Sequence, residues 1–215
     1  MLKNKTLFIF DLDGTLVDSF RDVSLSMNEA LHKLGFDPLS QYQVRQLIGP
    51  DLEEAIVKTV NDDRFSFAQF IEYYVESYHQ HMTRHTCLFE GVEDVLLALK
   101  KEDKACVVLT NKPEDQAAHI LQTLRVDHFF SMIIGPDTFD RPKPDPFSLF
   151  RLCEKFQKRK DDCVMIGDTE TDMKTARNAA ITSVGVTYGY RTENELSLFN
   201  PDILIHSLEE LLKHC

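Results

Sequence analysis

Phe8 to Asp18 read FIFDLDGTLVD, a short apolar run that stops abruptly at two acids. Thr6 to Phe10 are rich in β-forming residues and are followed by Asp, Gly and Thr, which predicts a buried strand ending in a tight turn. In open parallel α/β sheets, ligands bind at the carboxyl ends of the strands. On a chain that is still extended, Asp11 and Asp13 point to the same side. Because close carboxylates repel each other, such a pair suits a metal site that also transfers protons.

The size and charge of the chain limit the classes of function. Its 215 residues are enough for one large domain or for a core domain with an insertion. The 24 Lys and Arg residues stand against 35 Asp and Glu, a formal net charge of −11. This charge argues against a nucleic acid as partner. A small phosphorylated metabolite fits if a metal ion supplies local positive charge.

Apolar runs and cysteines bear on where the protein works. The apolar run that precedes Asp11 ends too early for a signal peptide, and no stretch approaches the roughly 18 apolar residues of a membrane span. The five cysteines form no CxxC pair, and Cys106 and Cys163 fall in apolar, strand-like runs. This pattern predicts reduced, buried thiols. We therefore expect a cytoplasmic protein without a membrane partner. A monomer and a homodimer both stay open.

Residues from about Phe20 to Arg84 predict helices and no strand. Apolar positions at helical spacing recur in four successive segments. These segments are the residues after Ser19, then Ser40–Ile48, Asp51–Val60 and Phe67–Met82. A helical block at this place predicts a cap of residues 19–86 inserted in a core of residues 1–18 and 87–215. Arg45, in the second helix, could reach a substrate anion; a solvated or salt-bridged arginine is the alternative.

Polar residues also follow two later apolar runs. The run Ala105–Leu109 leads into Thr110-Asn111-Lys112-Pro113, and the run Cys163–Ile166 leads into Gly167-Asp168-Thr169-Glu170-Thr171-Asp172. Between these two segments, Lys143 stands between two prolines, whose rings restrict the backbone and so preorganise the ammonium group. Both runs predict buried strands whose carboxyl ends carry polar side chains.

Taken in order, these four segments resemble the motifs of the haloacid dehalogenase-like (HAD) phosphohydrolases, over residues 8–186. The resemblance implies an α/β fold with a doubly wound, mostly parallel sheet and an inserted α-helical cap. Relatives often have Ser at the position of Thr169, which keeps the hydroxyl group.

The resemblance also implies roles for individual residues. Asp11 would be the nucleophile and Asp13 the general acid and base, while Thr110 and Lys143 would hold the phosphoryl oxygens. The predicted substrate contacts are Asp11, Asp13, Thr110, Asn111, Lys143 and Arg45. Asn111 is also expected to cap the helix that opens at Pro113. The residues assigned to Mg²⁺ are Asp11, Asp13 through its carbonyl, Asp168 and Asp172. Asp172 would orient metal-bound water or Lys143.

The function implied is Mg²⁺-dependent hydrolysis of small phosphomonoesters through an aspartyl phosphate. Leu16–Ser19 (LVDS) and Thr110–Pro113 (TNKP) are most similar to phosphoglycolate phosphatases. A β-phosphoglucomutase-like phosphotransferase shares the motifs and the cap, and is the alternative enzyme. Pyrophosphatase-like and nucleotidase-like members also stay open, because Ile48–Asp51 resembles their cap loop. Outside enzymes, the alternative is a catalytically inactive binding module of the same fold, against which the intact catalytic positions argue.

Overall fold

The structure is a computed structural model that describes residues 2–214. The described chain divides into two compact units. Residues 2–18 and 88–214 form one, here called the sheet unit, and Ser19–Cys87 form the other, the helical unit. The chain passes between the units next to two very short strands that pair with each other, Val17–Asp18 and Cys87–Leu88.

A parallel six-stranded sheet forms the centre of the sheet unit. In chain order the strands are β1 (Leu7–Phe10), β2 (Val17–Asp18), β3 (Cys87–Leu88), β4 (Ala105–Leu109), β5 (Met132–Ile134), β6 (Cys163–Gly167), β7 (Thr182–Val186) and β8 (Ile203–Ile205). Six of them pair in the order β5-β4-β1-β6-β7-β8, and all of these pairs are parallel. The strand β1 therefore lies in the middle, at the point where the strand order changes direction. Such a point is where open α/β sheets bind ligands.

Eleven α-helices are present in the described residues. The helical unit contains α1 (Phe20–Lys33), α2 (Gln41–Leu47), α3 (Leu52–Val60) and α4 (Phe67–His81). The sheet unit contains α5 (Val92–Lys101), α6 (Glu114–Thr123), α7 (Pro136–Phe139), α8 (Phe147–Lys155), α9 (Glu170–Ala179), α10 (Glu193–Ser197) and α11 (Glu210–His214). No helix among residues 2–214 is long and apolar enough to cross a membrane.

Both faces of β1 are covered, which explains why its sequence is apolar without alternation. Leu7 and Ile9 belong to a buried cluster that also contains Val107 of β4, Met165 of β6, and residues of α8 and α9. On the other face, the rings of Phe8 and Phe10 stack with centroids 6.5 Å apart. All four β1 side chains are fully buried. Burial of apolar surface contributes about 25 cal/mol per Å² to the stability of the folded state, so these four side chains hold the strand in the sheet.

In the helical unit, α1 packs against α4. An aromatic row runs along α4, in which Phe70 stacks on Tyr74 (6.0 Å between centroids) and Tyr74 stacks on Tyr78 (5.6 Å). Phe70 and Tyr78 are buried. The helical spacing of these rings is the signal from which the helix was predicted.

The fold class predicted from the sequence, a doubly wound parallel α/β sheet with inserted helices, is confirmed. The strands that precede the polar motifs form at the expected places, with ends that differ by a residue or two. Four short elements were not predicted, namely β2, β3, α7 and α10. These four have too few residues to show a period, and none contains an apolar run of four or more residues such as the runs that marked β1, β4 and β6.

Candidate active site

Asp11, Thr110 and Asp168 lie at one edge of the sheet, because each is the first residue after one of three adjacent strands. The register places Phe10 beside both Val108 and Ile166. The N–H of Asp11 still donates to the carbonyl of Ile166 at 2.8 Å, so the ladder continues into the site. Thr110 is 3% exposed and Asp168 is fully buried.

Lys143 joins two of the predicted acids. Its Nζ donates to Asp11 Oδ1 at 2.8 Å and to Asp172 Oδ1 at 2.6 Å. The other oxygen of Asp172, Oδ2, accepts from the N–H of Thr169 at 3.0 Å and from its hydroxyl at 2.8 Å. Asp172 therefore both caps the first turn of α9 and holds the lysine.

Asp168 is held by residues on two other segments. Its Oδ1 accepts from the hydroxyl of Thr15 at 3.2 Å, and its Oδ2 accepts from the N–H of Tyr190 at 2.7 Å. Gly14 adopts φ +85°, and a Cβ at this position would overlap the Asp168 carboxylate and the Tyr190 ring. Glycine is therefore needed here both for the backbone conformation and for the close approach.

Burial and like charges shift the pKa values at this edge. Burial, reinforced by the charges of Asp172 and Asp13, raises the pKa of Asp11 to about 7, although Lys143 acts in the opposite direction. Burial, together with Asp11 and Asp172, raises the pKa of Asp168 well above its usual range. Burial alone would lower the pKa of Lys143, but the carboxylates of Asp11 and Asp172 outweigh it and hold that pKa above its ordinary value. The ammonium is therefore charged at neutral pH.

The donor set fits a hard divalent cation. Asp11, Asp168 and Asp172 each offer a carboxylate oxygen, and these oxygens lie within 4.8 Å of one another. When all three carboxylates are ionised, they exceed the single ammonium of Lys143 by two negative charges, which a divalent cation would neutralise. Only oxygen is offered, as Mg²⁺ prefers.

Asp13 has a lysine partner that the sequence analysis did not assign. The Nζ of Lys112 lies 2.9 Å from Asp13 Oδ1, with the lysine side chain 7% exposed and the carboxylate 16% exposed. The N–H of Lys112 donates to the hydroxyl of Thr110 at 3.1 Å, which fixes the turn after β4. Asp11 and Asp13 thus each contact a different lysine.

The predicted capping role of Asn111 is wrong. The next helix begins at Glu114 with Pro113 at its cap position, and the N–H of Glu114 donates to Asp137 Oδ1 at 3.0 Å. Asn111 instead contacts the backbone of Lys143 twice, since its Nδ2 donates to the carbonyl at 3.0 Å and its Oδ1 accepts from the N–H at 2.8 Å. The side chain of Asn111 therefore holds the lysine loop, and the helix begins one residue later than expected.

Arg45 belongs to the helical unit. Its guanidinium lies over the ring of Phe20, 4.4 Å from the ring centroid. This is a cation–π contact within the unit. The role of Arg45 as a substrate contact stays a prediction.

Four residues that contact the predicted acids had no role predicted from the sequence: Thr15, Lys112, Thr169 and Tyr190. The first three stand inside the quoted motifs, so their places beside strand ends were an available signal. Tyr190 contributes only its backbone N–H, which no residue type encodes, and its loop follows β7 at the same sheet edge.

The fold and the acids at its edge define a hydrolase of the haloacid dehalogenase-like class. The haloacid dehalogenase-like hydrolase family matches residues 8–186, and the chain belongs to this family, as the motifs predicted.

Individual relatives resemble the chain over nearly its full length. A phosphoglycolate phosphatase of Vibrio cholerae serotype O1 is 33% identical over 220 residues, covering 99% of this chain and 97% of the relative. Another, from Chromobacterium violaceum, is 30% identical and covers 98% of this chain and 96% of the relative. A crystal structure from Haemophilus somnus, described as a predicted phosphoglycolate phosphatase, superposes with a TM-score of 0.89 at 29% identity and covers 99% of both chains.

Proposed function

We propose that this chain is a Mg²⁺-dependent phosphatase of small phosphomonoesters, and that phosphoglycolate is its substrate. The relatives bear out the enzyme class predicted from the sequence, a phosphoric monoester hydrolase. The single observation that carries the proposal is the Lys143 ammonium held between Asp11 and Asp172 at the sheet edge where Asp168 and Thr110 also lie. Phosphoglycolate is proposed because the relatives named above carry that name.

In the proposed reaction, a carboxylate oxygen of Asp11 attacks the phosphorus atom and the P–O bond to the leaving group breaks. Asp13 gives a proton to the leaving oxygen. In the second half-reaction a water attacks the aspartyl phosphate, Asp13 takes a proton from that water, and phosphate leaves. Lys143 and the Thr110 hydroxyl hold the phosphoryl oxygens, where charge must be stabilised. The lysine is already oriented for this by Asp172 and by the backbone contacts of Asn111.

The metal ligands in this proposal are the carboxylates of Asp11 and Asp168, the carbonyl of Asp13, and Asp172 as support. A bound Mg²⁺ supplies positive charge that screens the approach of one anion to another. The buried acids of this edge carry more negative charge than Lys143 can balance, which is the reason to expect a divalent ion here.

The remaining parts of the proposal concern partners and location. The substrate would be a small phosphorylated metabolite, with no nucleic acid or membrane partner. A cytoplasmic location and a monomeric or homodimeric state stay predictions.

A panel assay tests the proposal. Purified protein is assayed for phosphate release with 2-phosphoglycolate, β-glucose 1-phosphate, pyrophosphate and a nucleoside monophosphate, each with Mg²⁺ and with EDTA. We expect the highest kcat/KM with 2-phosphoglycolate and no turnover in EDTA. Conversion of β-glucose 1-phosphate to the 6-phosphate would support the mutase instead, and Mg²⁺-dependent binding without turnover of any substrate would support the inactive module.

A further inference from the structure

Two cysteines lie side by side at the opposite end of the sheet from the candidate active site. Cys153 is in the last turn of α8, and Cys163 is the first residue of β6, whose carboxyl end leads to Asp168. Their sulfur atoms are 3.6 Å apart. A disulfide bond is about 2.05 Å long, so closing the pair requires a movement of about 1.5 Å. The spacing of ten residues is not a CxxC motif, and only the fold brings the two thiols together.

The two thiols differ in access to solvent and in ionisation. Cys163 is fully buried, and its Sγ also contacts the carbonyl of Arg159 at 3.2 Å. Cys153 is half-buried. The contact with the Cys163 sulfur, with help from the charge of Lys160, lowers the pKa of Cys153 to about 7, although burial acts in the opposite direction. The same contact, together with burial, raises the pKa of Cys163. Cys153 is thus suited to attack an oxidant, and Cys163 is placed to react with the oxidised Cys153.

The chain between the cysteines carries a small excess of positive charge. Residues 154–162 read EKFQKRKDD, with four cations and three acids, in a protein whose net charge is −11. Reactive cysteines are found in partly exposed, electropositive surroundings of this kind. Cys87 is more exposed, and Cys106 is buried with a pKa raised to about 12 by that burial. Among the described cysteines, Cys153 therefore has the most favourable surroundings for reaction with an oxidant.

We propose that Cys153 and Cys163 form a peroxide-sensitive dithiol, which a hydroperoxide converts to a reversible intramolecular disulfide. In the first step the Cys153 thiolate attacks the terminal peroxide oxygen, the O–O bond breaks, and a proton completes the alcohol or water that leaves; Cys153 becomes a sulfenic acid. In the second step the Cys163 sulfur attacks the sulfenic sulfur, and the departing hydroxide takes the Cys163 proton as water. Two thiols are oxidised and one peroxide is reduced, so atoms and electrons balance.

The fold allows the disulfide to form because Cys163 is fixed in a central strand, whereas Cys153 lies near the end of a helix. Cys163 pairs in register with Leu7 of β1, inside the central part of the sheet. Cys153 is followed two residues later by the end of α8, and helix ends move more easily than central strands. We expect the helix end to move toward the strand.

Peptide mapping of the full chain tests the proposal. The protein is treated with hydrogen peroxide, free thiols are blocked with N-ethylmaleimide, and the chain is digested with trypsin. Four cleavage sites separate the two cysteines, so their peptides stay together only through a disulfide. We expect the linked peptide, a mass loss of about 2 Da, and recovery of two thiols with dithiothreitol. Oxidation of Cys87 ahead of Cys153, or oxidation of Cys153 to sulfinic acid without a linked peptide, would overturn the proposal.

Two variants separate the roles of the thiols. Cys163→Ala should stop at the sulfenic acid of Cys153, which dimedone traps; circular dichroism checks that the variant folds. Cys153→Ala changes the half-buried partner and should leave Cys163 unmodified by peroxide. The matched control Cys87→Ala should give the linked peptide in unchanged yield. Reaction of Cys163 at the wild-type rate in Cys153→Ala would contradict the assignment of Cys153 as the attacking thiol.

Discussion

The two acids of the first motif have separate lysine partners. Asp11 contacts Lys143, and Asp13 contacts Lys112. An ammonium beside each carboxylate reduces the repulsion between them, and the two side chains can then perform different tasks. The proposed reaction requires this, because one acid attacks phosphorus while the other transfers protons.

Asp13→Asn should retain the nucleophile and the phosphoryl-binding lysine but lose proton transfer. We expect a loss of roughly 10²- to 10⁴-fold in kcat with alkyl phosphates. With p-nitrophenyl phosphate, whose leaving group needs little protonation, the first half-reaction should be relatively spared and the aspartyl phosphate should accumulate. Rapid-quench mass spectrometry measures this. Equal losses with both classes of leaving group, and no phosphoenzyme, would remove Asp13 from the acid role.

In the helical unit, Asp22 is a fully buried acid with three hydrogen-bond donors and a histidine ring nitrogen around it. Its Oδ2 accepts from the N–H groups of His85 and Thr86 and from the Thr86 hydroxyl, each at 2.8 Å. Its Oδ1 lies 2.7 Å from Nδ1 of His85. Burial tends to raise the pKa of Asp22, but the hydrogen bonds from His85 and Thr86 outweigh it and hold that pKa below its ordinary value. The ionised carboxylate therefore stabilises the fold.

Asp22→Asn should reduce the free energy of unfolding at neutral pH by about 1–3 kcal/mol, because the surrounding donors lose the negative charge that they stabilise and one accepting oxygen is replaced by an NH₂ group. The stabilisation from a lowered carboxyl pKa is present above the unfolded value of about 3.9 and is lost as pH falls through the folded value. The difference between wild type and variant should therefore shrink below about pH 4. Urea unfolding followed by circular dichroism measures it, with the exposed Asp37→Asn as control. A difference that is the same at pH 3 and pH 7 would contradict the assignment.

The turn after β4 connects the site to the loop that carries Lys143. Three successive residues of this turn have three different functions. Thr110 accepts from the backbone of Lys112, Asn111 contacts the backbone of Lys143, and Lys112 contacts Asp13. A short loop thus fixes two lysines that come from distant positions in the chain.

Asn111→Ala should lower kcat more than it raises KM, because the Lys143 backbone would lose two hydrogen bonds and the ammonium would be less well placed. We expect a loss of about 10- to 100-fold, since small misplacements cost up to about that factor. Asn178→Ala is the matched control, because that side chain donates to the neighbouring carbonyl of Pro144 and is exposed. When Asn111→Ala is added to the Lys143→Met variant, kcat should fall almost no further. Additive losses would show that Asn111 acts independently of the lysine.

The helices and strands could be predicted where apolar periodicity is long or where an apolar run meets polar residues. The strand β1 and the helix α4 are examples, since burial dictates their residue types. The partners of the site residues could not be predicted in this way. The contact of Asn111 with Lys143 joins positions 32 residues apart, and that of Lys112 with Asp13 joins positions 99 residues apart. No local pattern encodes such distances, and Asn before a helix is equally typical of a cap.

The charge of the whole chain would give a bound Mg²⁺ a second role besides the proposed catalysis. The protein has a formal net charge of −11, and three acids are concentrated at one buried edge with one ammonium. Burial and mutual repulsion already raise the pKa values of Asp11 and Asp168. A bound divalent cation would therefore stabilise the folded state, because it binds the assembled acids and not the unfolded chain.

Mg²⁺ should raise the Tm of the intact protein, and Asp168→Asn should abolish this shift. At about 100 times the dissociation constant, binding contributes about 2.7 kcal/mol, which corresponds to roughly 5–10 °C for a chain of this size. Asp168→Asn removes one of the repelling charges and keeps an oxygen that can accept from Tyr190. The metal-free variant should therefore melt at or above the metal-free wild type, while losing turnover.

Differential scanning fluorimetry with EDTA and with increasing Mg²⁺ measures both effects, with the exposed Glu93→Gln as control for the general effect of lowering negative charge. If Asp168→Asn keeps the full Mg²⁺ shift, the metal binds elsewhere. If the metal-free variant melts well below the metal-free wild type, the hydrogen bonds of Asp168 to Thr15 and Tyr190 contribute more than its repulsion costs, and the acid is chiefly structural.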